Sequence, residues 1–305
     1  MGSGRWDAND WASYASTNTT GKTTSQIFQA TRIDDQFDPA KIARRESRNS
    51  ADNPRATPVI IASDVTGSMG MIATKLMQDG LNVLVKEIYD RKPVSDPHIL
   101  VAAVGDAWSD RAPLQVTQFE ADIRLADQVR SLWVEGNGGG NDGESYAAAH
   151  LFAALKTETD AAAEGRKGFL FTVGDEPNHD GMTAAQIERV LGVKVERDLS
   201  AADCVAMAER HWHVFHIALV NEGYCQHGRR EVLENWRRIL PERTIALEDV
   251  NALAETVVSL MQVTAGARAA DVAASWSGST SLVVANALKG VPAVAANRGL
   301  RRLSA

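Results

Sequence analysis

From Thr57 onward the chain alternates short apolar runs with helix-length amphipathic segments, and that alternation leaves few architectures open to it. The runs TPVIIAS, HILVAAV, KGFLFTV, HVFHIALV and RTIAL read as strands, and the segments between them read as crossover helices. Strand, helix, strand in regular succession is the pattern of a mainly parallel sheet. PLQVTQF follows HILVAAV too closely for a crossover, so it is expected to run antiparallel to it. The expected fold class is α/β: a doubly wound, mainly parallel six-stranded sheet with one antiparallel strand and helices on both faces. No fixed-period repeat is present, which sets aside a solenoid or propeller.

The 305 residues divide by composition into three parts. Residues 1–56 are dense in Ser, Thr, Asn, Asp and Gly and are expected to form a polar arm, with one helical stretch from Pro39 to Arg48. Residues 57–264 carry the alternating pattern and form the expected domain. Residues 265–305 read as an Ala-rich tail with a basic end at Arg298, Arg301 and Arg302. Lys and Arg number 32 against 39 Asp and Glu, a net charge of -7, which disfavours nucleic acid as a partner. Cys204 and Cys225 are the only cysteines, too few for a disulfide framework, and the N-terminal residues lack an apolar signal core. The longest apolar run, 281–296, is interrupted by Lys289 and Pro292. The expectation is a cytoplasmic protein with no membrane partner.

In an open parallel sheet, ligands collect beyond the carboxyl ends of the strands. Every such loop in this chain carries carboxylates. Asp64 ends the first strand, with Thr66 and Ser68 on the same turn; Asp106 and Asp110 follow the second; Asp142 and Glu144 precede the helix at Tyr146; Asp175 and Glu176 follow the fourth core strand. Carboxylates gathered at one edge repel each other and lose hydration unless a cation or protons neutralise them. The donors are hard oxygens without Cys or His, which suits Mg²⁺, Mn²⁺ or Ca²⁺ and argues against Zn²⁺ or copper. Alternation along the turn lets Asp64, Thr66 and Ser68 face one ion while Val65 and Gly67 face away.

The turn Asp64-Val65-Thr66-Gly67-Ser68, closing an apolar strand and opening a helix, resembles the metal-ion-dependent adhesion site of von Willebrand factor type A domains, whose usual motif is Asp-x-Ser-x-Ser. Thr66 stands for the first Ser and keeps the hydroxyl. Asp175 in FTVGDEP matches the family's Asp on a later loop, and Asp142 in the Gly-rich GGGNDGES resembles the Asp-bearing second loop of bacterial intracellular members, with Glu144 and Ser145 as substitutes. The resemblance covers about residues 57–264. It implies a metal set of Asp64, Thr66, Ser68, Asp142 and Asp175, and a divalent ion, Mg²⁺ or Mn²⁺ or Ca²⁺. It implies a binding module, not an enzyme, whose ion docks an Asp or Glu of a protein partner, such as an AAA-type ATPase or a multi-protein complex. Asp106, Trp108, Glu144 and Glu176 are the expected partner-facing residues.

Plainer readings stand beside these. Asp64 and Asp142 each precede a helix and would serve as N-caps, and Glu144 would complement a helix dipole. Trp108 would equally fill a local apolar gap. His211, His213 and His216 lie on opposite strand faces and do not converge as zinc ligands without a bend. Neither cysteine has the surroundings of an activated thiolate, and Gly138–Gly140 lack the Lys and Ser/Thr of a phosphate-binding loop. The rival function is a haloacid-dehalogenase-like, Mg²⁺-dependent phosphohydrolase with Asp64 as nucleophile, Asp175 as metal ligand and Lys167 as phosphate partner. Against it, Thr66 occupies the place of the second acid, and the helix begins too soon after Asp64 for a cap-forming hairpin.

Overall fold

The computed structural model describes residues 4–65, 74–75, 80–135 and 143–292. Its centre is a six-stranded sheet built, in chain order, from β2 (Thr57–Asp64), β3 (Pro97–Val104), β4 (Leu114–Val116), β6 (Gly168–Gly174), β9 (Trp212–Leu219) and β10 (Thr244–Leu247), after a short β1 (Arg45–Ser47) outside it. The spatial order is β10-β9-β6-β2-β3-β4. All neighbouring pairs are parallel except β3 with β4, so the strand predicted to be antiparallel is the edge strand.

Strand residues alternate strictly between two apolar layers because successive side chains leave a strand on opposite faces. Val59, Ile61, Ile99, Val101, Phe169, Phe171, Phe215 and Ile217 enter one layer; Ile60, Ala62, Leu100, Ala102, Leu170 and Val214 enter the other. Every residue of β2, β3 and β6 is buried, as expected of strands covered on both sides. The first layer is closed by α3 (Leu81–Arg91), α4 (Arg124–Arg130) and α10 (Leu253–Thr264). The second is closed by α5 (Tyr146–Leu155), α7 (Ala184–Leu191), α8 (Ala201–Ala208) and α9 (Cys225–Ile239). Alanines at 147, 148, 149 and 153 leave α5 slim enough to be buried nearly all round.

The flanking segments pack against this body. In α1 (Ala8–Asn18), Trp11 is buried in the first layer and stacks between Trp6 and Tyr14, with ring centroids 5.5 and 6.0 Å away. Ile27, Phe28 and Phe37 join the same layer. At the other end, α11 (Ala269–Ala274) and α12 (Gly278–Ala287) add Val272, Ala273, Val284 and Ala287 to it.

The helix expected from Pro39 to Arg48 is absent. Asp38 instead closes a turn by accepting from Ala40 N at 2.9 Å, and β1 then pairs in parallel with β5 (Thr157–Thr159). Backbone pairing with a distant segment overrides the local helical preference of this stretch, while the helix of the arm forms earlier, where Asp7 supplies an N-cap to Asn9. Cys225 opens α9 and is buried. Among the described residues no helix is long and apolar enough to cross a membrane.

If Trp11 is part of the core, Trp11→Ala costs about 3 kcal/mol of unfolding free energy by urea titration, a large-to-small loss. A residue lying loosely on the surface would shift it by less than about 0.5 kcal/mol.

Candidate metal centre

The chain leaves β2 toward β3 and β4 on one side, and returns to β6, β9 and β10 on the other, so the winding reverses between β2 and β6. Such a switch point parts the loops and opens a crevice beyond the strand ends. Ser63 is paired with Val173, so Asp64 and Asp175 leave the sheet at nearly the same level on adjacent strands.

Asp64 is fully buried, and its Oδ2 accepts a hydrogen bond from Tyr146 Oη at 3.3 Å. Tyr146 opens α5 and is itself fully buried. Burial holds its phenol well above the ordinary tyrosine range, and the negative charges of Asp64, Asp175, Glu144 and Glu176 push it further, so it is a neutral donor among four carboxylates. The hydroxyl lies against Gly174: a Cβ there would sit 1.8 Å from Tyr146 Oη. The last residue of β6 therefore has no side chain because the phenol crosses over it.

Asp175 is 1% exposed. Its Oδ2 accepts from Tyr224 N at 2.5 Å, while Oδ1 has no hydrogen-bond partner among the described residues. Burial raises its pKa, against the Tyr224 N–H that favours the charged form. A buried carboxylate oxygen with no donor is costly, and a proton or a cation relieves it. Glu144 is 2% exposed and tied in by its backbone, with Glu144 N donating to Pro177 O at 3.0 Å and Glu144 O accepting from His179 N at 3.2 Å. Glu176 is half-buried, and its carbonyl accepts from Trp236 Nε1 at 3.1 Å. Thr66, Ser68 and Asp142 lie outside the described residues. Among the described residues no three His, Cys, Asp or Glu side chains stand close enough to hold a metal by themselves.

Asp106, expected on the partner-facing surface, is instead a buried hub. Its Oδ1 accepts from Trp108 N at 3.1 Å and Ser145 Oγ at 3.0 Å and meets His179 Nε2 at 3.0 Å, and Oδ2 accepts from Ser109 Oγ at 3.1 Å. The loop after β3 turns inward because Asp110 Oδ2 accepts from Asp106 N at 2.8 Å. Burial likewise removes Glu144 from the outer surface and leaves it beside the buried carboxylates. Trp108, by contrast, is 64% exposed, edge-on to His179.

Lys167 does not fit the phosphate-partner role. It precedes Gly168 at the start of β6, the sheet edge opposite Asp175, and donates to Glu209 O at 2.5 Å. His216 is buried, its Nδ1 bonded to Thr172 Oγ1 at 3.0 Å and its ring stacked on Trp236 at 3.5 Å, and burial keeps it neutral. Both cysteines are buried, their thiols pushed up to about 12 by burial, far from thiolate chemistry.

The sequence reading missed Tyr146, Asn178 and Tyr224. Asn178 Oδ1 accepts from Ala147 N at 3.1 Å, capping α5 from the loop after β6 because Ser145 spends its hydroxyl on Asp106. The available signal was the glycine closing an otherwise apolar strand at Gly174, which marks a close approach by another group.

No family model matches the chain, and no curated protein matches it. Among solved structures, it is similar to two crystal structures of the pilus adhesin SpaC from Lactobacillus rhamnosus GG, one of them in the open conformation. Identities are 12% and 10% with a TM-score of 0.46 in both, over 71% of this chain and 32% of SpaC. The chain thus spans about a third of the length of that adhesin.

Two outcomes are expected from this geometry. Gly174→Ala drives a methyl into Tyr146 and destabilises the protein by about 1–3 kcal/mol in denaturant titration, an overpacking cost. Asp175→Asn, with chelator present, stabilises it by about 1 kcal/mol at pH 7, because it removes a buried charge with an unsatisfied oxygen. With its folded pKa raised, Asp175 makes the wild type lose stability as pH rises through the carboxylate range; the variant's advantage therefore vanishes below about pH 3.9, where the unfolded chain is protonated too. Melting curves across pH read this directly.

Proposed function

We propose that this chain is a von Willebrand A-type module that holds a divalent cation, Mg²⁺ or Mn²⁺ or Ca²⁺, at the switch point between β2 and β6, and through it docks an Asp or Glu of a protein partner. The observation that carries the reading is the placement of Asp64 and Asp175: buried, level with each other, acting on one neutral phenol, with Asp175 Oδ1 unpartnered among the described residues. The residues present suit the ion, since every donor is a hard oxygen. Asp64 and Asp175 would hold it together with Thr66, Ser68 and Asp142. When bound, the ion supplies an electropositive position for a partner carboxylate oxygen.

The chain's own residues prepare that position. Tyr146 Oη orients Asp64 while adding no charge, and Tyr224 N holds one oxygen of Asp175 so that the other is presented. Asp106 anchors the loop that carries Trp108 to the rim, where an exposed indole suits contact with a protein. The partner implied by the resemblance is an AAA-type ATPase or a multi-protein complex, and the module itself catalyses nothing.

Thermal melts with and without Mg²⁺, Mn²⁺ or Ca²⁺ test the reading. An ion at about 100 times its Kd stabilises the folded state by about 2.7 kcal/mol, a rise of several degrees for wild type that Asp64→Asn abolishes. No shift with any of the three ions would sink the metal centre. Hydrolysis of p-nitrophenyl phosphate that depends on Mg²⁺ and is lost in Asp64→Asn would replace the binding module with the phosphohydrolase.

A further inference from the structure

Beside the candidate metal centre runs a groove of about 580 Å³ in which the carboxylate-docking reading uses Trp108 alone. Its walls come from the loop after β3, from the antiparallel pair β7 (Gly181–Met182) and β8 (Leu199–Ser200), and from the N-terminal turns of α7 and α8. Trp108 and His179 form the wall toward the centre, and His179 is fastened on that side by its N–H to Glu144 O and by Nε2 to Asp106.

The charged residues of the groove are Asp180, Asp198 and Asp203 against Arg197. Arg197 is already engaged with Asp203 at 3.5 Å, and Asp198 caps α7 by accepting from Ala184 N at 2.8 Å. Asp180 is exposed and has no ion-pair partner among the described residues. The groove thus has excess negative charge and a tryptophan that is 64% exposed. An anionic side chain would be repelled from it. A guanidinium or ammonium group would gain from both the aspartates and the indole face.

We infer that the groove takes an Arg or Lys side chain of the same partner segment whose acid docks at the metal centre, so that the module reads an acidic residue and a basic residue together. The inference rests on the proposed function for the acid and on the charge complementarity of the groove for the base. Because His179 lines the groove and donates its backbone N–H to Glu144 O, beside the buried carboxylates, one short peptide segment can engage both places at once, and each contact raises the effective concentration of the other.

Fluorescein-labelled, glycine-spaced peptides carrying only arginines, only glutamates, or both test it by anisotropy against the full chain. The arginine peptide is expected to bind with chelator present and to weaken about fivefold or more in Trp108→Ala and in Asp180→Asn, the loss of an exposed cation–π or ionic contact. Asp180→Asn leaves Mg²⁺-dependent binding of the glutamate peptide unchanged, whereas Asp64→Asn removes glutamate binding alone. The mixed peptide in Mg²⁺ binds about tenfold or more tighter than either single-charge peptide. Trp108 is exposed, so its variant keeps the fold, which circular dichroism checks. Arginine binding that is insensitive to both groove variants, or no arginine binding, overturns the inference. A dimer in sedimentation that Trp108→Ala dissociates would overturn it in favour of a second copy. Failure of the glutamate arm alone strikes the metal centre and leaves the cationic groove standing.

Discussion

Two carboxylates that end adjacent parallel strands, buried and level, impose the main constraint on this molecule. Asp64 and Asp175 lie at 0% and 1% exposure on the side of the sheet where strand ends and helix N-termini meet. Desolvated negative charges oppose folding, and the surroundings show how the chain accommodates them. A neutral phenol is laid across Gly174 to donate to Asp64, and a backbone N–H from the loop after β9 is directed at Asp175. Neither contact neutralises charge.

The loops around this crevice are fastened to one another more than to themselves. Asp106 collects Trp108 N, Ser145, Ser109 and His179; Asn178 caps α5 across the crevice and exchanges hydrogen bonds with Asn235 on α9; Glu176 O receives Trp236 Nε1. Buried polar networks of this kind stabilise only when their members are satisfied, and then they hold a unique arrangement. Trp108 and His179 owe their position at the rim to that network, which joins the groove to the centre.

How much could be read in advance differs by element. The strands of the central sheet were legible to within a residue or two, save the edge strand, read as PLQVTQF and running only Leu114–Val116, because apolar runs such as TPVIIAS and KGFLFTV leave no alternative to burial on both faces. Helix Tyr146–Leu155 was legible from its length and composition. The stretch 39–48 was misread as helix because its partner in β1–β5 pairing lies over a hundred residues away, outside any local window. Asp106 and Glu144, expected to face a partner, are buried, because hydrogen bonds from several loops draw them inward. Tyr146 looked like an ordinary apolar helix residue, since nothing in its own neighbours reveals that its hydroxyl reaches a carboxylate on another strand.

By itself, then, the order of residues determined the layered α/β architecture and the edge of the sheet at which acidic residues accumulate, because both follow from periodicities and punctuation that act within a few residues along the chain. Which acids face inward, which phenol stands among them, and which tryptophan is left in the open were decided only in three dimensions. Those outcomes depend on hydrogen bonds and exclusion of water between segments far apart in sequence, and such contacts exist only once the sheet has brought its loops together.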